Sequence, residues 1–459
     1  MSRIINVLQK LNRDTEAEVY YVGGFVRDLV RRKKPNNIDM LIRNYPLPNL
    51  IKYLSKHGEV NKNASRYNMI TFTCNGDIVR ISLPYNGSKS SHHFSLKEDA
   101  RYRDLTINAM YLPIDRRSKK HIIDFYTGLK DIKDRKIRAI GNIKRSIVLS
   151  PIRMLRAIAF VSWLNYKIDT NLFYAIKTLS KLLDKAQVDD IRDELVKILL
   201  SKKPSKYLKI LHSTGLLYLI IPELHMCHGV DQNKQYHKHD VFTHCILACD
   251  NTDSDIVLRL SALLHDVGKL QTREEKSNDG NNDDKKVTFY SHEVVSARLA
   301  KRILKRLNFD KDIISKVAEL AYLHMYNYEP DKWTDAAVRR FIRKAKISND
   351  DLDKLNTFPL FLVRRADRLA NGYPHSEVSY RQELFQQRIC EIFEQSNAIT
   401  INDLEIDGAT LMSKFNLKEG PTVGHVLNYL LSLVLEDQKL NTIDILIDEA
   451  SSYLSEALK

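Results

Sequence analysis

Apolar and polar positions follow two different rhythms along this chain of 459 residues. Up to about residue 140, short β-branched runs stand between Gly and Asn turns: Val19-Tyr20-Tyr21-Val22, Ile70-Thr71-Phe72-Thr73 and Ile78-Val79-Arg80-Ile81. Such runs, bounded by turn residues, predict strands and an α+β region. From Pro151 to about Leu224 the apolar residues recur three and four apart, as in Ile191, Leu195 and Ile198, which predicts helices. The helical rhythm continues from about 225 to 372. A charged, Asn/Asp-rich stretch, Glu274 to Lys286, interrupts it and reads as a mobile loop. After Gly372-Tyr373-Pro374 amphipathic helices resume, with a turn at Lys418-Glu419-Gly420-Pro421. The expected organisation is an α+β head (1–140), a helical neck (141–225), a helical middle domain (226–372) and a helical tail (373–459).

Composition narrows the class. Hydrophobic content of 43% is that of a globular chain, and no run of eighteen apolar residues is present to span a bilayer. The opening residues lack the apolar core and cleavage site of a secretory signal. Five cysteines form no disulfide framework, and Cys245 and Cys249, four apart, have no second pair with which to build a structural zinc site. A cytoplasmic protein without a membrane partner is expected. The surplus of Lys and Arg, 72 against 57 acids for a net +15, favours a polyanionic partner.

Candidate chemistry concentrates in the middle: His244, the doublet His265-Asp266, His292, His324 and Asp367. His292 lies three and seven residues before Val295 and Leu299, and so points inward with them, leaving Arg298, Lys301, Arg302, Lys305 and Arg306 to the surface. Imidazoles and carboxylates are ligands that suit Mn, Fe, Ni, Co or Zn, with Mg also open. An Asp beside a His can bridge two ions, and a two-metal site activates water against phosphate esters. The series His244, His265-Asp266-Val267-Gly268-Lys269, Phe289-Tyr290-Ser291-His292-Glu293, His324 and Arg365-Ala366-Asp367 resembles the HD phosphohydrolase superfamily. That resemblance implies one ion on His244, His265, Asp266 and Asp367, and a second on Asp266, His292 and His324. It makes His265 and Asp266 catalytic, with Lys269 as the phosphate partner.

The amino-terminal third carries a second set of motifs. Gly23-Gly24-Phe25-Val26-Arg27-Asp28 follows a predicted strand, and paired glycines let backbone N–H groups approach a triphosphate. Asn36-Asn37-Ile38-Asp39, Arg103-Asp104-Leu105-Thr106-Ile107-Asn108-Ala109 and Asp124 through Asp131 follow. Together these resemble class II tRNA nucleotidyltransferases, the bacterial-type CCA-adding enzymes and poly(A) polymerases. The similarity continues through Pro151–Ala157, Ile191–Leu195, Gly215-Leu216-Leu217 with Pro222-Glu223-Leu224, Asp407-Gly408 and Gly420–Gly424. It implies a polymerase-β-like mixed-sheet head, an all-α neck, an HD helical domain and a helical RNA-binding tail, with tRNA or tRNA-like RNA as partner. It places a nucleotide on Gly23, Gly24, Arg27, Asp28, Arg103, Asp104, Asn108, Arg153 and Arg156. Asp39 becomes the catalytic carboxylate for Mg²⁺ with ATP or CTP.

Three positions depart from that pattern. Where the family has two aspartates one residue apart, the chain has Asn37 and Asp39; the further acidic residue falls on Arg80. The Glu-Asp-x-x-Arg motif reads Leu149-Ser150-Pro151-Ile152-Arg153. Nucleotidyl transfer needs carboxylates to hold Mg²⁺ against the triphosphate and the attacking hydroxyl. An Asn offers no charge, an Arg repels the metal, and Ser150 lacks a carboxylate's acceptor pair. On residues alone the expectation is therefore an RNA 3′-end protein whose HD site works as a phosphatase or 2′,3′-cyclic phosphodiesterase, with a degraded transfer site. The alternatives are an active CCA- or A-adding enzyme using CTP and ATP, and a non-catalytic RNA-binding protein.

Overall fold

The period-two runs form a seven-stranded sheet in the order β3-β4-β5-β2-β1-β6-β7. Its strands are β1 (Glu18–Val22), β2 (Ile38–Arg43), β3 (Glu59–Lys62), β4 (Ile70–Cys74), β5 (Asp77–Ser82), β6 (Met110–Pro113) and β7 (Ile123–Asp124). The computed structural model describes residues 2–457 apart from 36, 63–68, 87, 117, 233–236, 278–284 and 396–397. It divides into two compact units, Met1–His225 and Met226–Lys459.

In the first unit β2 and β5 run parallel, while the other neighbours are antiparallel, so the sheet is mixed. Alternation sorts β2 between two cores. Ile38, Met40 and Ile42 pack with Leu8, Val19, Phe72 and Ile81, whereas Leu41 packs with Val22 and Tyr111 on the opposite face. Asp39 shares the Leu41 face. The parallel register sets Asp39 directly beside Arg80. Helix α1 (Gly24–Val30) follows β1, and α2 (Arg153–Leu164) and α3 (Val188–Leu199) follow the sheet. Leu195 and Ile198 are fully buried, as their spacing predicts.

Among the described residues the second unit is helical apart from one hairpin. The helices that carry its site are α4 (Val241–Asp250), α5 (Ile256–Leu264), α6 (His292–Arg306), α7 (Lys311–Leu323), α8 (Pro359–Ala370) and α9 (His375–Glu394). Asp240 and Asp255 begin α4 and α5, their side chains accepting from the N–H of Thr243 and Leu258. One core gathers Phe341, Phe361, Phe385 and Ile389, and a separate one gathers Leu411, Val426, Leu430 and Val434.

The stretch Glu274–Lys286, expected as a loop, corrects that reading in part. Arg273–Ser277 pairs antiparallel with Lys285–Phe289, and the residues between lie outside the described ones. Charged residues dominate this ladder, Glu275 opposite Val287 and Lys276 opposite Lys286, and only Val287 and Phe289 alternate as apolar residues, too short a pattern to announce a strand. Among the described residues, no single helix is long and apolar enough to cross a membrane.

Candidate metal centre and nucleotide pocket

The ends of three helices bring the imidazoles together. His265 closes α5, His292 opens α6 and His324 closes α7, while His244 and Asp367 come from within α4 and α8. All six residues singled out from the sequence are at most 5% exposed. His244, His265 and Asp266 form one group with ligand atoms within 4.8 Å of one another, and Asp266, His292 and His324 form a second. Asp367 joins the first, its Oδ1 3.1 Å from His244 Nε2 and 3.7 Å from His265 Nε2. Asp266 is common to both: Oδ2 lies 3.2 Å from His265 Nε2 and Oδ1 lies 3.1 Å from His292 Nε2.

The rings are aimed by the backbone. Nδ1–H of His265, His292 and His324 is placed to donate to the carbonyls of Ala262, Phe289 and Ala321 at 2.9, 2.8 and 2.7 Å. Each such bond leaves Nε2 as the free lone pair facing inward, the usual support for a metal-binding imidazole. Asp266 Oδ1, His292 Nε2 and His324 Nε2 are buried with no hydrogen-bond partner among the described residues. Orphaned buried acceptors are costly, and a divalent cation would satisfy all three. The donor set therefore fits a divalent metal.

Electrostatics follow from burial and these neighbours. Burial lowers His244 and takes His324 down to about 4, both against the pull of nearby carboxylates, which keeps them neutral. Burial also opposes charge on Asp266, but His265 and Lys269 outweigh it and hold the carboxyl well below the usual range. Lys269 Nζ is buried, donating to Asp266 Oδ2 and to Gln232 Oε1, each at 2.7 Å. Gln232 is not among the residues singled out from the sequence, and neither are Arg364, which donates to Asp367 Oδ2 at 2.5 Å, nor Asn371, which donates to Oδ1 at 3.3 Å. Arg364 and Asn371 stand three before and four after Asp367 on a helix, a spacing that could have found them. Gln232 offers no such local signal.

Gly268 fixes the doublet against α6. A Cβ there would lie 2.6 Å from the His292 carbonyl oxygen and 2.7 Å from Ser296 N, and Gly268 N–H donates to Ser296 Oγ at 2.9 Å. Gly268→Ala is expected to cost about 1–3 kcal/mol, read by denaturant unfolding, and to weaken metal binding because His292 must shift. Unchanged values for both would remove this contact from the account.

In the first unit the glycine turn and the sheet enclose a cleft of about 780 Å³. Gly23 has φ +62°, a left-handed conformation that favours glycine. Gly23, Gly24, Asn37, Asp39, Arg103, Asp104, Asn108 and Arg156 line the cleft, as their motifs imply, and Arg80 lines it too. Arg27 and Asp28 also border it, but they are buried in a two-pronged pair at 3.0 and 2.9 Å. Arg27 further reaches Asn108 Oδ1 at 2.9 Å and stacks over Trp163 of α2 at 4.6 Å, so its guanidinium ties the glycine turn to Asn108 and to α2. Arg103 is gripped by Asp99 and Tyr111 at 2.7 and 3.2 Å. Asp99 stands one helical turn before Arg103, a spacing that could have found it, and is also absent from the residues singled out from the sequence. Arg153 lies in an adjoining part of the cleft and donates to Ser146 Oγ at 2.6 Å.

Arg80 Nε donates to Asp39 Oδ1 at 2.7 Å. The one remaining carboxylate of the expected acidic set is thus shared with a guanidinium. The pair is solvent-accessible, with side chains 43% and 31% exposed. One such carboxylate fits a single ion carried in on a nucleotide's phosphates, and does not fit a pair of ions.

Comparison with known proteins joins these parts. Residues 19–138 match the poly A polymerase head domain, 165–227 the probable RNA- and SrmB-binding site of polymerase A, and 237–372 the HD domain. An A-adding tRNA nucleotidyltransferase from Deinococcus radiodurans is 29% identical over 73% of this chain and 74% of its own length. A CCA-adding enzyme from Ligilactobacillus salivarius is 35% identical over 47% of this chain, which spans only 53% of that relative. The fold matches that of the Bacillus stearothermophilus CCA-adding enzyme in complex with CTP, at 17% identity and a TM-score of 0.67, over 99% of this chain and 98% of that one. Head, RNA-binding region and HD domain in this order place the chain in the tRNA nucleotidyltransferase family, as a member that carries an HD domain.

Proposed function

We propose that the chain acts at the 3′ end of tRNA and that its head adds C or A there from CTP or ATP. The observation that carries this reading is the cleft in which the Gly23-Gly24 turn, Arg103, Asp104, Asn108 and Arg156 converge around Asp39. The names of the relatives support it, being A-adding and CCA-adding enzymes. Structures of the same fold include a CCA-adding enzyme with ATP and a Thermotoga maritima enzyme complexed with tRNA. Transfer thereby takes precedence over the hydrolase-first expectation drawn from Asn37, Arg80 and Ser150.

The departures slow the reaction without closing the cleft. An exposed ion pair contributes about 0–1 kcal/mol, so the Asp39–Arg80 bond is weak enough for a nucleotide-borne cation to displace. A bound Mg²⁺ would neutralise charge on the triphosphate as the leaving group departs. The chain's own residues do the positioning. Arg103, immobilised by Asp99 and Tyr111, presents a fixed positive charge beside Gly23. Arg156 lies between Glu194 and Asp104, at 3.4 and 3.9 Å, where a base or ribose would enter. Incubation with labelled CTP or ATP and tRNA lacking its terminal nucleotides should give extended product that disappears in Asp39→Ala. No product from the folded wild-type chain would overturn the reading.

A second activity is favoured by the cage itself: metal-assisted hydrolysis of a phosphomonoester or 2′,3′-cyclic phosphate at the HD centre. Buried acceptors aimed at common points, with no hydrogen-bond partner among the described residues, support it. In that reaction His265 and Asp266 would hold the cation, and Lys269, bonded to Asp266 Oδ2, would be the nearest positive charge for phosphate. Residues 1–140, 141–225, 226–372 and 373–459 would then divide the work as head, neck, hydrolase and RNA-binding tail. The five free cysteines suit a reducing compartment such as the cytoplasm. With a net charge of +15, tRNA affinity should fall at least about tenfold between 50 and 200 mM salt, as Lys and Arg release condensed counterions. Filter binding over that range checks this, and a flat response would count against RNA as the partner.

A further inference from the structure

Beside the metal cage, one feature remains unused by either activity. Arg364, Arg365, Arg368, Arg381, Tyr326 and Tyr373 line a single pocket along α8 and α9. Arg364 bonds to Asp367, and its guanidinium lies 5.5 Å from the Tyr326 ring centre. Arg368, one turn on, lies 4.9 Å from the Tyr373 ring centre and donates Nη2 to Asn327 Oδ1 at 2.6 Å. Arg365 Nη2 lies 2.6 Å from His375 Nε2, and Arg381 meets Glu377 at 3.3 Å.

The charges do not balance locally. Four guanidinium groups face two carboxylates, Asp367 and Glu377, and Asp367 belongs to the cage. Neither Arg365 nor Arg368 has a carboxylate within ion-pair distance among the described residues. Arg364 and Arg368 repel each other across one helical turn. Cation–π contacts hold the planar forks in place. Fixed, under-neutralised guanidinium forks are suited to a tetrahedral oxyanion, which they bind two-pronged.

We infer that this pocket is a phosphate-binding subsite of the HD centre, in which Arg364 and Arg368 grip a phosphate of a ribonucleotide beside the one to be hydrolysed. This rests on the hydrolase reading of the cage. The subsite lies next to it, because Arg364 touches the carboxylate whose other oxygen meets His244.

A local probe exists. The chain has two tryptophans; in a Trp163→Phe background Trp333 alone reports. Its ring lies 5.6 Å from Tyr328 and 5.2 Å from Phe385, both of which border the pocket. Full-length, chelator-treated protein titrated with inorganic phosphate or cytidine 3′-monophosphate should give a saturable fluorescence change. Arg368→Gln should weaken it about tenfold or more, the loss of a charge-assisted bond. Tighter binding of the nucleotide would assign the source as RNA, and equal affinity would assign free phosphate; both support the subsite. No saturable change in the wild type, or the same affinity in Arg368→Gln, would overturn it. Should Arg368→Gln fail to fold, the exposed Arg381→Gln carries the test, with an expected weakening of about threefold and an unchanged value counting against the subsite. Hydrolysis of a chromogenic phosphodiester by metal-loaded protein is measured in parallel. An inert enzyme that still binds phosphate through Arg368 refutes the hydrolase reading alone, and an active one indifferent to Arg368 refutes the subsite alone.

Discussion

Arg80→Glu combined with Asn37→Asp raises nucleotidyl transfer onto tRNA by roughly 10²–10⁴-fold, if the restored carboxylates recover several kcal/mol of metal interaction. The strand register gives this expectation its precision. Arg80 stands directly beside Asp39 on a parallel neighbour, so the introduced glutamate would present its carboxylate to the same space as Asp39. Asn37 lies two residues before Asp39 and lines the same cleft. The substitutions also remove the guanidinium that holds Asp39 Oδ1 at 2.7 Å. Three carboxylates placed together repel one another unless a cation joins them. The double variant should therefore need less Mg²⁺ for half-maximal transfer than the wild type. Initial rates of label incorporation from CTP and from ATP, measured against Mg²⁺ concentration, check both points. A folded double variant that transfers no faster would mean that Arg80 is not the obstacle.

The second large effect is expected at Asp266. Because its two oxygens face the two halves of the cage, Asp266→Ala should remove bound metal from both halves. Phosphodiester hydrolysis should fall by about 10³-fold or more, the loss of a metal-activated nucleophile. His244→Ala, by contrast, touches only the half that includes Asp367 and should retain part of the metal. Lys269 complicates the alanine variant, since its buried ammonium would keep only Gln232. Leaving one partner of a buried ion pair unmatched costs about 3–5 kcal/mol. Asp266→Asn keeps the shape and an acceptor for Lys269, and is the better variant for kinetics. Elemental analysis of each purified variant gives the metal content, and a chromogenic diester gives turnover. Full activity in Asp266→Asn and His265→Ala together would exclude the cage from hydrolysis.

The parts of this molecule that are legible in the sequence are those where local pattern and residue type coincide. β1, β4 and β5 announce themselves through β-branched runs and bounding turns. The cage does so through a rare His-Asp doublet and inward-facing helical spacing. The charged hairpin does not, because one strand is wholly polar and the other offers only Val287 and Phe289 among charged neighbours. Side chains that act through another residue are also silent. Gln232 supports Lys269 across 37 positions, a relation that only folding creates. The Asp39–Arg80 bond is intermediate. Three departures, at Asn37, Arg80 and Ser150, read as lost chemistry, yet neither the register nor the solvent exposure of the Asp39–Arg80 pair is visible in a string of letters. Those two facts bear on whether the change would block a metal or only compete with it.

The contact between Gly268 and the start of α6 has an engineering consequence. Two ligand-bearing segments, the His265-Asp266 turn and the helix of His292, are locked by direct apposition rather than by the roughly twenty residues that join them. A tag or sensor grafted between Ser277 and Lys285 is thus expected to leave the spacing of the imidazoles as it is, provided that Lys269 and the Phe289 carbonyl keep their contacts with Asp266 and His292.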